Sequence, residues 1–425
     1  MALGPKRRVD LVAKLVPSFG LGMPKHLTKL SRYGSERPRS ARLHEDPTPE
    51  VRSFAPGQIV LSGMETLVAS AGETPTSVST VALQNGLRRY GIEGEEAFLV
   101  LASHYLDVRK VRQPKLRYFP VERGQTALGL VAHDKQVIFV LDRIVGADPC
   151  GRELPTWYQY FVGRRFREGS GKFFTPRTIA EAMARLLPVV PGAVVMDPTC
   201  GAGTFLSETS RRWQDTPCTL LGNDVDRMLA GLTELVLALS VPAQHSFRVL
   251  CFNIYDAATD FEKLKAGVNC ILANPPFSLA LDRVGARSEL FSLGYRNSDA
   301  VFLDVCLELL IPGGTLVCLV PHSLVANAEF QDLRKTVERS WELCGVVTLP
   351  EGVFYLTGNT TTRADIVHLR KRGARQAHPH RAFFANAPSV GFPLNSRSTF
   401  FGENSLNSII TDSRVLDCAR VRRGE

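Results

Sequence analysis

The feature that most constrains the fold of this chain is an alternation of apolar, strand-like runs with helical patterns between about residues 160 and 371. Helical spacing of apolar residues separates most of the runs, for example over 300–310 and 330–341. Such alternation predicts an α/β fold, with a mostly parallel sheet and helices on both faces. The strand-like runs are 194–197, 220–224, 247–253, 270–274, 315–321, 345–350 and 366–369.

Four of these runs end in a polar side chain. The carboxyl ends of parallel strands meet at one edge of a sheet, and ligands of open α/β sheets bind there. We therefore expect a binding site formed by the residues that close the four runs, Asp197, Asp224, Asn253 and Asn274.

A glycine turn follows the first of these strands and leads into a helix. Gly201 and Gly203 let the backbone approach a ligand closely, and Asp224 follows where a carboxylate can accept ribose hydroxyls. The third glycine of a dinucleotide fingerprint is absent, and the carboxylate of Asp197, before Pro198, would repel a pyrophosphate. These features favour S-adenosylmethionine, which carries an ammonium group and no phosphate. A plain βα turn is the alternative.

The loop Asn274-Pro275-Pro276-Phe277 closes the fourth run. An amide held at a strand end by two prolines can bind a planar amino group while the aromatic ring stacks on the same group. This combination is what methylation of an exocyclic amine on a nucleobase requires. A rigid strand-exit loop without chemistry is the alternative reading.

A third motif, Gly-Lys-Phe-Phe-Thr-Pro at 171–176, precedes the glycine turn. We expect Pro176 in the first turn of a helix over 177–187, with Thr175 as its cap. The motif is either a capped helix start or a turn that folds over the methionine end of the cofactor.

In their order, these motifs resemble the N6-adenine DNA methyltransferases, specifically the modification subunits of type I restriction systems. The resemblance covers about 150–400 and includes Leu-Pro-Glu-Gly-Val-Phe at 349–354. It implies a Rossmann-like S-adenosylmethionine-dependent methyltransferase fold acting on DNA, a separate specificity subunit, and a restriction subunit as a further candidate partner. Two positions depart from the family pattern, because Asp224 stands where Glu is usual and Asn253 where Asp is usual.

The resemblance also implies roles for individual residues. The methionine moiety of the cofactor would contact Phe174, Thr175 and Pro176, and the target amine would meet the loop Asn274, Pro275, Pro276 and Phe277. The remainder of the cofactor would be held by Asp197, Pro198, Gly201, Gly203, Asp224 and Asn253.

Several other functions fit the same motifs. Asn-Pro-Pro-aromatic loops also occur in enzymes that methylate guanine N2 in RNA or glutamine side chains in proteins. Methylation of cytosine N4 in DNA is a further alternative because its chemistry is the same, although those enzymes more often carry Ser in place of Asn274. A non-catalytic subunit that binds DNA and cofactor in a defence complex is an alternative of a different class.

The rest of the chain is less informative. Residues 1–42 carry ten Lys and Arg against two Asp and Glu, in a chain whose net charge is +9. We therefore expect 1–60 to be a flexible basic arm, which either contacts nucleic acid or is a solvated leader. We expect 61–155 to form a small α+β or helical domain with a β-hairpin over 126–145, 156–372 the catalytic domain and 373–425 a short tail.

Two sequence features bear on the compartment. Nine cysteines are scattered without a Cys-x-x-Cys pair, which is typical of reduced thiols, and we expect no metal site. Because no apolar run reaches the ~18–20 residues of a membrane span, we expect a cytoplasmic protein without a membrane partner.

Overall fold

A computed structural model describes residues 77–111, 116–167, 174–256, 259–282, 284, 288–355, 362–373, 381–394 and 403–419. The predicted basic arm and residues 171–173 of the third motif lie outside these residues. The first helices are α1 Ser77–Arg88, α2 Glu95–Arg109, α3 Val121–Val131, α4 Lys135–Ala147 and α5 Leu154–Arg167.

An eight-stranded sheet follows this helical region. Its order is β3-β2-β1-β4-β5-β7-β6-β8, and only β7 runs antiparallel to its neighbours. The strands are β1 Ala193–Asp197, β2 Cys218–Asn223, β3 Ser246–Leu250, β4 Val268–Ala273, β5 Leu310–Pro321, β6 Trp341–Thr348, β7 Ala364–Lys371 and β8 Phe383–Asn386.

Helices cover both faces of the sheet and bury one apolar core on each. Ile179 and Phe205 lie in the first core, whereas Val301 and Leu333 lie in the second. The prediction of an α/β fold is therefore confirmed. The helices are α6 Arg177–Arg185, α7 Thr204–Arg212, α8 Arg227–Ser240, α9 Thr259–Leu264, α10 Glu289–Ser292, α11 Ser298–Leu309, α12 His322–Ala326, α13 Gln331–Ser340, α14 Ser405–Ile410 and α15 Ser413–Ala419.

The helical region has its own core and also packs on α8. Leu229 and Leu232 of α8 belong to the same core cluster as Leu83 and Phe98. The segment before α3 lies directly against α8, where a Cβ on Gly231 would lie 2.8 Å from the Phe119 backbone. A glycine is therefore required for this close contact.

The predicted β-hairpin over 126–145 is wrong, because these residues form α3 and α4. Asp134 lies between the helices and caps α4, accepting hydrogen bonds from Gln136 N at 2.9 Å and Val137 N at 3.2 Å. Val137 and Leu141 are buried on one face of α4, and Phe139 is 61% exposed. The cap and this helical burial pattern outweigh the β propensity of the valines and isoleucine.

Residues beyond the predicted boundary at 372 also contribute to the sheet and its core. Part of the expected tail adds β8 to the sheet, with Gly345 of β6 in register with Phe383. Leu406 and Ile410 of α14 are fully buried in the same core as α6. The segment therefore belongs to the sheet domain.

Candidate active site

A cleft opens at the carboxyl ends of β1, β2 and β4, where the strand order reverses between β1 and β4. It encloses about 760 Å³ of empty space, including the open solvent at its mouth. Its lining residues are Phe174, Pro198, Thr199, Gly201, Asn223, Asp224, Val225, Leu229, Phe252, Asn253, Ile254, Tyr255, Asn274, Pro275, Pro276 and Leu279.

Eight of the thirteen predicted site residues line this cleft together, and the other five lie behind or beside it. Those five are Thr175, Pro176, Asp197, Gly203 and Phe277. Chain segments far apart in sequence thus meet at the predicted edge of the sheet.

The Asp224 carboxylate is fixed by two backbone amides. Gly201 N donates to its Oδ2 at 2.9 Å, and Asp226 N donates to its Oδ1 at 2.9 Å. Each carboxylate oxygen can accept further bonds, so the carboxylate is a preoriented acceptor at the wall of the cleft. Asn253 is exposed in the next loop, where its Oδ1 accepts from Tyr255 N at 3.1 Å.

Asp197 is 1% exposed at the end of β1, and its Oδ1 accepts a hydrogen bond from Thr199 N at 3.1 Å. Burial raises the pKa of the Asp197 carboxyl well above its ordinary value, and the nearby negative charge of Asp224 raises this pKa further. Two acidic groups in one desolvated region favour a cationic ligand.

The two glycines of the turn have different roles. Gly201 lines the cleft with φ 51°, whereas Gly203 begins α7 with φ 78° and faces α8. A Cβ on Gly203 would lie 3.1 Å from Thr233 Oγ1. Gly201 therefore permits a ligand in the cleft to approach the backbone closely, and Gly203 permits the close packing of α7 on α8.

Asn223 is a site residue that the motifs did not identify. Its Nδ2 donates to the carbonyl oxygens of Pro198 at 3.0 Å and Phe252 at 3.1 Å, and its Oδ1 accepts from Phe252 N at 3.2 Å. The buried amide therefore joins the loops that follow β1, β2 and β3. Its only sequence signal is a polar residue one position before the end of the apolar run 220–224.

Asn274 follows β4, and its amide contacts the segment before α6. Its Nδ2 donates to Thr175 Oγ1 at 3.1 Å, while its Oδ1 is buried and accepts no hydrogen bond from any described residue. The prediction that Thr175 caps the following helix is wrong. Pro176 is the N-cap residue of α6, and its ring has no acceptor for a cap bond. The Thr175 hydroxyl accepts a hydrogen bond from Asn274 Nδ2 instead.

Phe277 is half-buried and packs against the core beside the cleft. Its ring makes an edge contact with Phe354, with centroids 6.4 Å apart and planes at 85°. Phe354 is fully buried. Phe354 therefore supports the Phe277 ring from within the core.

Two wider features of the described residues bear on the site. No group of three or more His, Cys, Asp or Glu side chains in this part of the chain is arranged to hold a metal ion. Among the same residues, no helix is both long and apolar enough to cross a bilayer.

Sequence comparison assigns the family. The profile of the N-6 DNA Methylase family matches residues 154–412, more than half of the chain. The chain belongs to this family. The match includes the cleft, α5 and most of the C-terminal segment that carries β8.

Individual relatives share low sequence identity with this chain. The type I restriction enzyme StySPI methylase subunit of Salmonella potsdam is 26% identical over 213 residues, which is 46% of this chain and 40% of that protein. The chain therefore aligns with about two fifths of the length of this curated relative.

Two solved structures share the fold. A protein of Listeria monocytogenes assigned as a class I S-adenosylmethionine-dependent methyltransferase is 17% identical with a TM-score of 0.55, covering 85% of this chain and 99% of that one. A type I modification subunit of Vibrio vulnificus is 14% identical with a TM-score of 0.53, covering 73% and 84%. The fold is that of the S-adenosylmethionine-dependent methyltransferases.

Proposed function

We propose that this protein transfers a methyl group from S-adenosylmethionine to the N6 amine of adenine in DNA. The observation that carries the proposal is the Asn274 amide. Its nitrogen is bound by Thr175, and its buried carbonyl oxygen has no partner among the described residues of the cleft. A buried acceptor without a partner is costly, and the amino group of a substrate would satisfy it.

The residues of the cleft fit S-adenosylmethionine. Asp224 would accept hydrogen bonds from the ribose hydroxyls of the cofactor, and Asn253 would bind the cofactor's adenine ring. The buried Asp197 would lie near the cofactor's ammonium group. Phe174 at the cleft wall, with Thr175 and Pro176, would contact the methionine moiety. The bound cofactor supplies an electrophilic methyl group, and the acidic set matches its positive charge.

The target base would enter from the side of the Asn274–Phe277 loop. Removing a base from the duplex costs a few kcal/mol, and stacking on Phe277 would offset about 1–3 kcal/mol of that cost. Hydrogen bonds from the amine to Asn274 Oδ1 and to the Pro275 carbonyl would hold the nitrogen and draw its lone pair out of conjugation.

No strong base is required for this reaction, because the amine can lose its proton after the methyl group has been transferred. The contribution of the chain is therefore positioning and electrostatic complementarity to the nitrogen as it becomes tetrahedral. A fixed amide and a supported aromatic ring are suited to that task.

We propose that a separate specificity module selects the DNA sequence. One observation supports a partner: the relative named above is a methylase subunit. The basic segment 1–42 offers positive charge for the DNA backbone. A restriction subunit is a further candidate for the same complex.

The test is transfer of tritiated methyl groups from S-adenosylmethionine to DNA and RNA, with the full chain alone and with any partner encoded beside it. We expect label in DNA, recovered as N6-methyladenine after digestion to nucleosides. Label in N4-methylcytosine or in RNA would show that the substrate is cytosine in DNA or an RNA, and not adenine in DNA. Cofactor binding without labelling under any of these conditions would support a non-catalytic subunit.

A further inference from the structure

The first turn of α11 holds the backbone of residues 274–279, which we call the target loop. Both carboxylate oxygens of Asp299 accept from Ser278 N, at 3.0 and 3.1 Å, and Oδ2 also accepts from Ser278 Oγ at 3.3 Å. Asp299 is 5% exposed. A buried carboxylate therefore fixes the residue that directly follows Phe277.

Ser298 holds the same loop at the two positions that flank Ser278. Its Oγ donates to the Pro276 carbonyl at 2.7 Å and accepts from Leu279 N at 3.1 Å. Its own backbone N–H donates to the Leu279 carbonyl at 2.8 Å. Ser298 is fully buried, so water does not compete for these bonds.

The conformation of the loop explains why these bonds are needed. Ser278 has φ 55°, in the left-handed region that residues other than glycine rarely adopt. The hydrogen bonds that Ser278 donates to Asp299 hold this conformation, which turns the chain directly after Phe277. Without them, Ser278 would relax toward more common φ values, and the Asn274–Phe277 segment would move with it.

We infer that Ser298 and Asp299 are positioning residues for methyl transfer: they keep the Asn274 carbonyl and the Phe277 ring in the geometry that receives the target amine. Neither residue is part of the cleft lining. This inference rests on the proposed function. It extends the site to the start of α11, which none of the sequence motifs includes.

The same helix supplies a matched control. Asp304 also accepts one side-chain and one backbone bond, from Ser288 Oγ at 2.6 Å and Leu290 N at 2.9 Å. These bonds hold the start of α10 and not the target loop. Asp304→Ala therefore removes a comparable carboxylate from α11 without touching the Asn274–Phe277 segment.

The experiment compares Asp299→Ala, Ser298→Ala and Asp304→Ala in the full chain, with its specificity partner where transfer requires one. Hydrogen–deuterium exchange is followed in the peptide that covers 274–281, and kcat and the Kd for S-adenosylmethionine are measured. We expect loop exchange about tenfold faster and kcat about ten- to a hundredfold lower in the first two variants only. Cofactor Kd should remain unchanged.

Three outcomes would overturn the inference: unchanged exchange in the loop, unchanged kcat, or an equal loss of kcat in Asp304→Ala. If Asp299→Ala does not fold, Asp299→Asn and Ser298→Ala carry the same comparison. If the wild-type protein methylates no nucleic acid, the proposed function fails. The exchange measurement then still decides whether α11 holds the loop.

Discussion

The side-chain amide of Asn274 donates a hydrogen bond to the Thr175 hydroxyl at 3.1 Å, joining two segments 99 residues apart. This bond fixes which end of the amide remains for a ligand. With Nδ2 engaged by Thr175, the carbonyl oxygen is the group left to accept a hydrogen bond from an amine. Thr175 thus connects the motif before α6 to the loop after β4.

Replacing Thr175 by valine keeps the shape of the side chain and removes the acceptor for Asn274 Nδ2. We expect kcat for methyl transfer to fall about tenfold, because one hydrogen bond of ordinary strength no longer orients the amide. Thr175→Ser keeps the hydroxyl and should retain most of the activity. Equal kcat in the valine and serine variants would show that the bond does not orient Asn274.

Cofactor affinity should depend on pH through Asp197. Because burial raises the pKa of this carboxyl, it holds a proton up to an unusually high pH and must lose it to bind a cation. Affinity for S-adenosylmethionine should therefore rise as pH increases through this raised pKa. Titration calorimetry from about pH 5.5 to about pH 7 tests this sign, because the cofactor's own α-amino group loses its charge only near its pKa of about 7.7–8.0.

Asp197→Asn is the matched variant for that titration. It should bind the cofactor more weakly at high pH and lose most of the pH dependence. A wild-type affinity that stays flat, or that falls as pH rises, would contradict the proposed role of Asp197.

The fold was largely predictable because buried parallel strands are continuous apolar runs. For this reason the ends of β1, β2 and β4 were predicted to within one residue, at Asp197, Asp224 and Asn274, and the cleft lies where these ends meet. Prediction from local sequence patterns failed where a contact between residues far apart in the chain decides the structure. The Thr175 hydroxyl accepts a hydrogen bond from the Asn274 amide instead of capping the helix. Helix-capping preferences consider only residues close in sequence, so they could not predict this partner.

Two other differences between the predicted and the observed structure have similar physical causes. The apolar run 136–141 favours a strand by composition, but the cap at Asp134 and the burial of Val137 and Leu141 make it a helix. β8 is only four residues long, and its Phe383 pairs with Gly345 of an earlier strand. So short a run carries no periodicity of its own.

The contact between the helical region and α8 can be tested with two helical glycines. A Cβ on Gly231 would lie 2.8 Å from the Phe119 backbone, whereas a Cβ on Gly129 in α3 meets nothing within 4 Å. We expect Gly231→Ala to lower the free energy of unfolding by about 1–3 kcal/mol. Gly129→Ala should raise it by about 0.5–1 kcal/mol.

Urea denaturation of both alanine variants measures the difference. If Gly231→Ala were as stable as Gly129→Ala, the close approach of the 118–119 backbone to α8 would be refuted.

His368 should make stability fall in acid. It is fully buried in β7, and neither ring nitrogen has a hydrogen-bond partner among the described residues. Burial, with a contribution from Arg370, lowers its pKa from 6.5 to about 3. Protonation therefore favours the unfolded chain, and stability present above pH 6.5 is lost as pH falls toward 3, by roughly 1.4 kcal/mol per pH unit.

His368→Leu removes this titration, so its stability should decline less between about pH 7 and about pH 5 than that of the wild type. Thermal unfolding at both pH values gives the comparison. Parallel pH profiles for the two proteins would rule out His368 as a source of acid sensitivity.

The most direct test of the central claim is single-turnover methyl transfer to DNA by Asn274→Ala beside the wild type, with cofactor affinity measured on the same preparations. Loss of the amide acceptor should reduce transfer by about a hundredfold or more, while the Kd for S-adenosylmethionine and the thermal stability stay close to wild type. Wild-type transfer rates in Asn274→Ala, or a variant that no longer folds, would contradict the assignment of Asn274 as the residue that receives the target amine.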